Sequence, residues 1–234
     1  MESLEAYVER YGLAELLSAD LLGALSLVAT EPGGLILRAG EAADRLLFFV
    51  EGRAKVYSLL ENGKSLLASF YEPFEVLGDA ELFAYARWTL NVEAITATAC
   101  LSLPAEAARK AADRNGRLFA FLCGRLGRKL ATFNVQSAIN LRYPVENRLA
   151  SYLLAVLELE ERAGAAGPGA AESGTAEYGT DDLSELADSL GTSYRQLSRV
   201  VRRFREEGIL EDRRGRIRVL SRERLEPLAR EIYL

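Results

Sequence analysis

Residues 191–210, GTSYRQLSRVVRRFREEGIL, carry two stripes at helical spacing. Leu197, Val200, Val201 and Phe204 recur at steps of one, three and four and predict one apolar face. Opposite them stand Tyr194, Arg195, Ser198, Arg199 and Arg202, whose spacing turns them outward together. Upstream, Leu183, Leu186, Ala187 and Leu190 predict a first short helix, with Asp182 as its N-cap and Glu185 completing a capping box. Gly191 supplies the turn between the helices because it can take a positive φ, and the small Ala187 lets them cross closely. Downstream, GILEDRRGRIRVL (residues 208–220) predicts a two-stranded ribbon with Arg213, Arg214 and Gly215 at its tip. Two helices, a tight turn and a basic ribbon are the parts of a winged helix-turn-helix.

Charge sharpens that reading. The chain has a net charge of −5, yet residues 191–224 alone carry +6, which leaves −11 for the remainder. A solvated charged face would explain any one of these arginines, but not caps, turn glycine, opposed stripes and basic ribbon together. A polyanion facing one end of the molecule does, and double-stranded DNA is the expected partner. Ser193, Tyr194, Arg195, Gln196, Ser198, Arg199, Arg202, Arg213 and Arg214 are the candidate DNA contacts.

Composition removes other function classes. There is no histidine, so histidine-ligated metal, haem held by histidine and most hydrolase chemistry are excluded, a cupin-type enzyme among them. Cys100 and Cys123 are too few for a disulfide framework, a four-thiolate cluster or a cysteine-rich zinc site, and are expected to be ordinary buried thiols. No metal, cofactor or enzymatic activity is expected. No apolar run reaches the ~18 residues of a membrane span, and MESLEAYVER lacks the layout of a secretion signal, so no membrane partner is expected and the cytoplasm is the expected location.

Ahead of the helix-turn-helix, residues 33–103 read as short strands: GGLILRAG, LLFFVEG, AKVYSLL, the turn ENGK, SLLASFY and the long run LNVEAITATACLSL. Their spacing predicts a small antiparallel barrel or roll. Leu13 to Ala29 reads as helical. After Pro104, Leu118, Leu122, Leu126, Leu130, Phe133 and Ser137 line one face of a long helix, a stripe that either packs against the roll of its own chain or, as its narrowness on so long a helix favours, pairs with a second copy. Gly124 and Gly127 on that helix predict the close approach of another backbone. Pro144 interrupts the helix and starts another at a hinge, and residues 162–181 are a Gly-, Ala- and Ser-rich linker or surface loop.

These pieces together resemble the CRP/FNR superfamily of bacterial transcription regulators, and within it the divergent YeiL-like branch. RAGE, FVEGRAKVY and ENGK match its roll, LGDAELF stands at its phosphate-cassette position, YPVENRLASYLL at its hinge, and LADSLGTSYRQLSRVVRRFREEGIL is the most specific match. The resemblance implies an α+β fold: N-terminal helices and an antiparallel β-roll of the cyclic-nucleotide-binding jelly-roll type over residues 1–113, a dimerisation helix over 114–143, and a winged-helix domain over 144–234. It implies a homodimer on an inverted-repeat operator, RNA polymerase as a further partner, and a small-molecule effector in the roll. By the same resemblance Arg199 stands where relatives donate two hydrogen bonds to guanine, and Arg195 where well-known relatives use a glutamate that accepts from cytosine.

Gly78, Asp79, Ala80, Glu81, Arg87, Trp88, Thr89, Phe133 and Asn134 fall at the family's effector pocket. The cassette departs from its pattern. Ala80 and Glu81 replace Leu-Gly, Arg87-Trp88-Thr89 stands where an Arg-Ser pair belongs, and Glu81 would set a negative charge beside a phosphate, so cyclic AMP is not the expected effector. Trp88, Phe83 and Phe133 could line a pocket for a small apolar ligand or be plain core. An effector-independent regulator with the roll as scaffold is the alternative.

Overall fold

The computed structural model describes residues 2–59, 65–164, 177–179, 183–213 and 216–229; for 135–142, 159–164, 177–179, 185, 212, 213 and 216 it describes the backbone alone. The chain divides into two compact units, Met1–Leu59 with Ala68–Phe133, and Leu60–Leu67 with Asn134–Leu234.

The first unit opens with helix α1 (Leu4–Arg10), a single 3-10 turn (Leu13–Glu15) and α2 (Ala19–Gly23). Strands β1 (Ser26–Thr30), β2 (Leu35–Leu37), β3 (Arg45–Glu51), β4 (Ala54–Leu59), β5 (Ser65–Tyr71) and β6 (Glu75–Leu77) follow, then α3 (Asp79–Ala84), β7 (Asn91–Ala94) and β8 (Thr98–Pro104). Two four-stranded sheets result, ordered β1-β8-β3-β6 and β2-β7-β4-β5. The continuous apolar run of β3 has a direct cause: Leu47 and Phe49 point between the sheets, while Leu46, Phe48 and Val50 point at the helices, so both faces are buried. The helix-side core takes in Tyr7 of α1, Leu13 and Leu17, the small residues Ala105, Ala108 and Ala112 of α4 (Ala105–Arg114), and Leu118 and Leu122 of α5 (Gly116–Arg142).

Three expectations change here. The helix read over Leu13 to Ala29 is the 3-10 turn, α2 and β1, because Ser18 takes extended backbone as the cap of α2, separating it from the 3-10 turn, and Ser26–Thr30 completes the edge of a sheet against β8. The run LNVEAITATACLSL is two strands in different sheets, β7 beside β4 and β8 beside β3. Cys100 is buried between the sheets, but Cys123 is exposed. The turn ENGK lies outside the described residues.

The second unit holds α6 (Val145–Gly164), β9 (Glu177–Gly179), α7 (Leu183–Ser189), α8 (Tyr194–Glu206), β10 (Leu210–Arg213), β11 (Arg216–Val219) and α9 (Arg222–Leu225). Pro144 stands immediately before α6, where its carbonyl accepts from Asn147 N at 3.1 Å. α6 packs against α8 and α9, and α7 against α8. The ribbon has three strands and not two, in the order β10-β11-β9. β9 falls inside the expected linker, which otherwise lies mostly outside the described residues. No helix among the described residues is long and apolar enough to cross a membrane.

Candidate nucleic-acid interface

The turn between α7 and α8 is built by hydrogen bonds that only a left-handed residue permits. Gly191 (φ 60) lets Thr192 N reach Ala187 O and its own N reach Asp188 O, each at 2.9 Å, which ends α7. Ser193 then caps α8 in extended conformation, its hydroxyl accepting from Gln196 N at 3.3 Å, while Thr192 Oγ1 donates to Gln196 Oε1 at 2.8 Å. Asp182 and the side chain of Glu185 lie outside the described residues. Leu186, Ala187 and Leu190 of this first helix are buried with Leu197, Val201 and Phe204 of α8, as the apolar stripes require; Val200 is half-buried.

On the far side of α8, Tyr194, Arg195, Arg199 and Arg202 are exposed. Arg202 lies 3.9 Å from Glu206, a loose surface pair, and Arg195 and Arg199 have no acid partner among the described residues. Two expected contacts are spoken for within the fold, since Ser193 and Gln196 spend hydrogen bonds on the helix cap. Ser198 is corrected: it is half-buried with its Oγ shielded from solvent, because the position one residue past Leu197 turns toward the packed side. In the ribbon, Arg213 pairs with Arg216 by backbone register; its side chain and Arg214 lie outside the described residues.

Two residues that the stripes did not reveal hold this reader in place. Arg203 of α8 pairs with Glu146 of α6. Arg148, also on α6 and buried, donates to Leu190 O and, at 3.5 Å, to Gly191 O just past α7.

In the roll, the charged groups expected at the effector site are engaged within the fold, Glu81 by another expected residue, Thr89, and Asp79 and Arg87 by partners outside the expected set. Gly78 (φ 88) begins α3 against Trp88, where an added Cβ would lie 2.8 Å from Arg45 O and 3.0 Å from the indole. Asp79 is only 2% exposed and receives the Lys129 ammonium of α5 at 2.9 and 3.0 Å. Burial pushes the Asp79 carboxyl above its ordinary range, and the Lys129 charge pulls the other way. Lys129 also donates to Val76 O, and Arg125 one turn earlier binds Glu75 at 2.9 Å. Glu81 is buried and accepts from Thr89 N at 3.2 Å and Thr89 Oγ1 at 2.7 Å. Arg87 turns away and donates to Gly40 O at 2.6 Å. Ala80 is half-buried, and Phe133 and Asn134 are exposed. The aromatic lining of Trp88, Phe83 and Phe133 does not form: Trp88 is sandwich core, whereas Phe83 packs edge-on against Phe119 with ring centres 5.8 Å apart.

The helix α5 corrects the expected seam. Leu118 and Leu122 are fully buried in the core of their own roll, so they face no second chain. The apolar residues left open are Leu130 and Phe133 of the expected seam, 61% and 54% exposed, and Phe119, one position over from Leu118, with exposed Cys123 and half-buried Leu126 between them. Phe119, Cys123, Leu126, Leu130 and Phe133 alternate steps of four and three, a heptad stripe. A Cβ added at Gly124 or Gly127 would meet nothing within 4 Å, so among the described residues no other backbone approaches there. Ser137 lies where side chains are outside the described residues.

Comparison with known proteins covers both units. Residues 27–115 match the family described as Cyclic nucleotide-binding domain, and residues 147–228 the Crp-like helix-turn-helix domain. The Regulatory protein YeiL of Escherichia coli O157:H7 is 26% identical over 197 residues, 84% of this chain and 82% of that protein. The CRP-like cAMP-activated global transcriptional regulator of Mycobacterium tuberculosis is 24% identical over 200 residues, 85% of each chain. A crystal structure assigned to the crp/fnr family, from Eubacterium rectale, shares the fold with a TM-score of 0.79 at 18% identity, covering 92% of this chain and 96% of that one.

Proposed function

Because the chain belongs to the CRP/FNR superfamily of transcription regulators, we propose that it works as a homodimer that reads an inverted-repeat operator through α8, gated by a small molecule other than cyclic AMP. It is a regulatory protein and not an enzyme. One observation carries the proposal: Arg195, Arg199 and Arg202 stand exposed on one side of a helix whose other side, Leu197, Val201 and Phe204, is buried. A helix so anchored can enter a major groove and offer paired donors to guanine edges. The exposed stripe of α5 and the room at Gly124 and Gly127 support pairing with a second copy, which would set two α8 helices to half-sites about 34 Å apart. DNA as the partner places this work in the cytoplasm, with RNA polymerase as the further partner that regulation implies.

A second reading has its own support. The Glu81 carboxylate already engages Thr89, and the Lys129 ammonium already engages Asp79, so the roll can stand as a scaffold with no effector. The name of the Mycobacterium tuberculosis relative says that it is activated by cAMP; here Glu81 sets a carboxylate where an anionic ligand would need donors.

Selection of duplexes from random DNA, with the wild type, Arg195→Ala and Arg199→Ala, tests the proposal. An inverted repeat that loses guanine preference in Arg199→Ala supports it. The same sequence preference in all three proteins would show that α8 does not read the bases.

A further inference from the structure

We propose that Arg148 is the positioning residue of the DNA reader: its buried guanidinium, seated on the carbonyls of Leu190 and Gly191 just past α7, fixes the turn that aims α8. The inference rests on the reading of α8 as the DNA-reading helix. The last carbonyls of a helix have no partner within it and carry the negative end of its dipole. Here the backbone donors of Leu190, Gly191 and Thr192 are used in closing the turn, to Leu186 O, Asp188 O and Ala187 O, each at 2.9 Å. The carbonyls of Leu190 and Gly191 then look to a side chain, and Arg148 Nη1 donates to both. Arg148 is 8% exposed and Leu190 is buried, so water is a poor substitute there and a missing donor would leave the Leu190 carbonyl unmatched, although Gly191 is exposed.

Its neighbours show what the placement is for. Glu146 pairs with Arg203 of α8, and Asn147 Nδ2 donates to Leu228 O at 2.8 Å. Three consecutive residues of the first turn of α6 therefore hold the recognition helix, the segment after α9, and, through Arg148, the turn between the two reader helices. Ser193, the cap of α8, lies two residues beyond Gly191, so a shift of the turn moves the start of α8 directly. Arg148 itself lies on the packed side of the unit and bears no resemblance to the exposed arginines that meet DNA. One nitrogen of the planar guanidinium, Nη1, makes both contacts, and the rigid group fixes its direction, whereas an ammonium on a flexible stem is a point donor without that constraint.

The test uses the full-length protein, one duplex selected by the wild type and a scrambled duplex of equal length, with affinities from fluorescence anisotropy at one salt concentration. Thermal unfolding is followed in parallel. Arg148→Met should lower the ratio of specific to non-specific affinity by about tenfold, because a misaimed helix loses base contacts while the exposed arginines keep their phosphate contacts. Arg148→Lys should recover part of that ratio. A purely structural role would lower both affinities together through the folded fraction and leave the ratio unchanged, and that result overturns the inference. If Arg148→Met does not fold, Arg148→Lys decides, since it keeps charge and length: a ratio below wild type supports the assignment and an unchanged ratio overturns it. A wild type that prefers no duplex overturns the proposed reading of α8, and this inference with it.

Discussion

Arg199 and Arg195 occupy the same face of α8 one turn apart, yet their expected contributions differ. A bidentate contact to guanine is worth roughly 1 to 3 kcal/mol of discrimination, so Arg199→Ala should weaken the selected duplex by that amount and relax preference at one symmetric position. Arg195 is a cation and cannot accept from cytosine, so Arg195→Ala should remove a guanine preference or only a phosphate contact, the latter weakening all duplexes alike and flattening the salt dependence; titrations at several salt concentrations distinguish these. The two cysteines make a second contrast. Burial pushes the Cys100 thiol up to about 12, whereas Cys123 lies open on α5. An aromatic disulfide reagent at mildly alkaline pH should therefore label one thiol in the native protein and the second only in denaturant, and on the proposed dimer the first should slow as protein concentration rises. Exposed arginines were legible in the sequence because periodicity separates the two faces of one helix. Arg148 and Lys129 were not, because each acts on a partner distant in the chain, a carbonyl of the α7–α8 turn in one case and Asp79 in the other.

At the level of elements, the decisive case is α5, whose two neighbouring stripes part company. Leu122 belongs to the roll, so Leu122→Ala should cost about 2 to 5 kcal/mol of folding stability, measured by denaturant unfolding. Leu130 is open on the single chain, so Leu130→Asp should leave that stability nearly unchanged but yield monomers by light scattering and abolish operator binding, since a carboxylate in an apolar seam costs several kcal/mol. A wild type that is monomeric at micromolar concentration, with DNA present or absent, would refute the dimer. Sequence periodicity identified the helix but chose a stripe that mixes the two, because Leu118 and Leu122 are in phase with Leu126 and Leu130 along the chain. Only the roll beneath them tells the faces apart. Strand β9 was hidden for a different reason: three residues, Glu177–Gly179, in a stretch poor in large apolar side chains carry no period, and their pairing with β11 is entirely tertiary. Conversely, β3, β4 and the helix-turn-helix were legible because burial on defined faces writes itself into the order of residues.

For the whole molecule, the arrangement around α3 bears on which ligands the roll could accept. Cyclic AMP should show no binding heat in calorimetry at physiological concentrations, because Glu81 holds Thr89 and Asp79 holds Lys129; a micromolar dissociation constant would refute this and make Arg87 the leading candidate for a phosphate contact. The pair of Asp79 and Lys129 also constrains how such a protein can change over generations. Asp79 is buried while Lys129 is partly open to solvent, so losing Lys129 strands a buried carboxyl at a cost of a few kcal/mol out of the roughly 5 to 15 kcal/mol that keeps a domain folded, and losing Asp79 costs less. A lineage that once acquired both residues cannot lose Lys129 alone without passing through a chain that folds poorly. Opening a nucleotide site there is therefore easier through Asp79 first than through Lys129 first, and chains related to this one are expected to keep Lys129 wherever they keep Asp79.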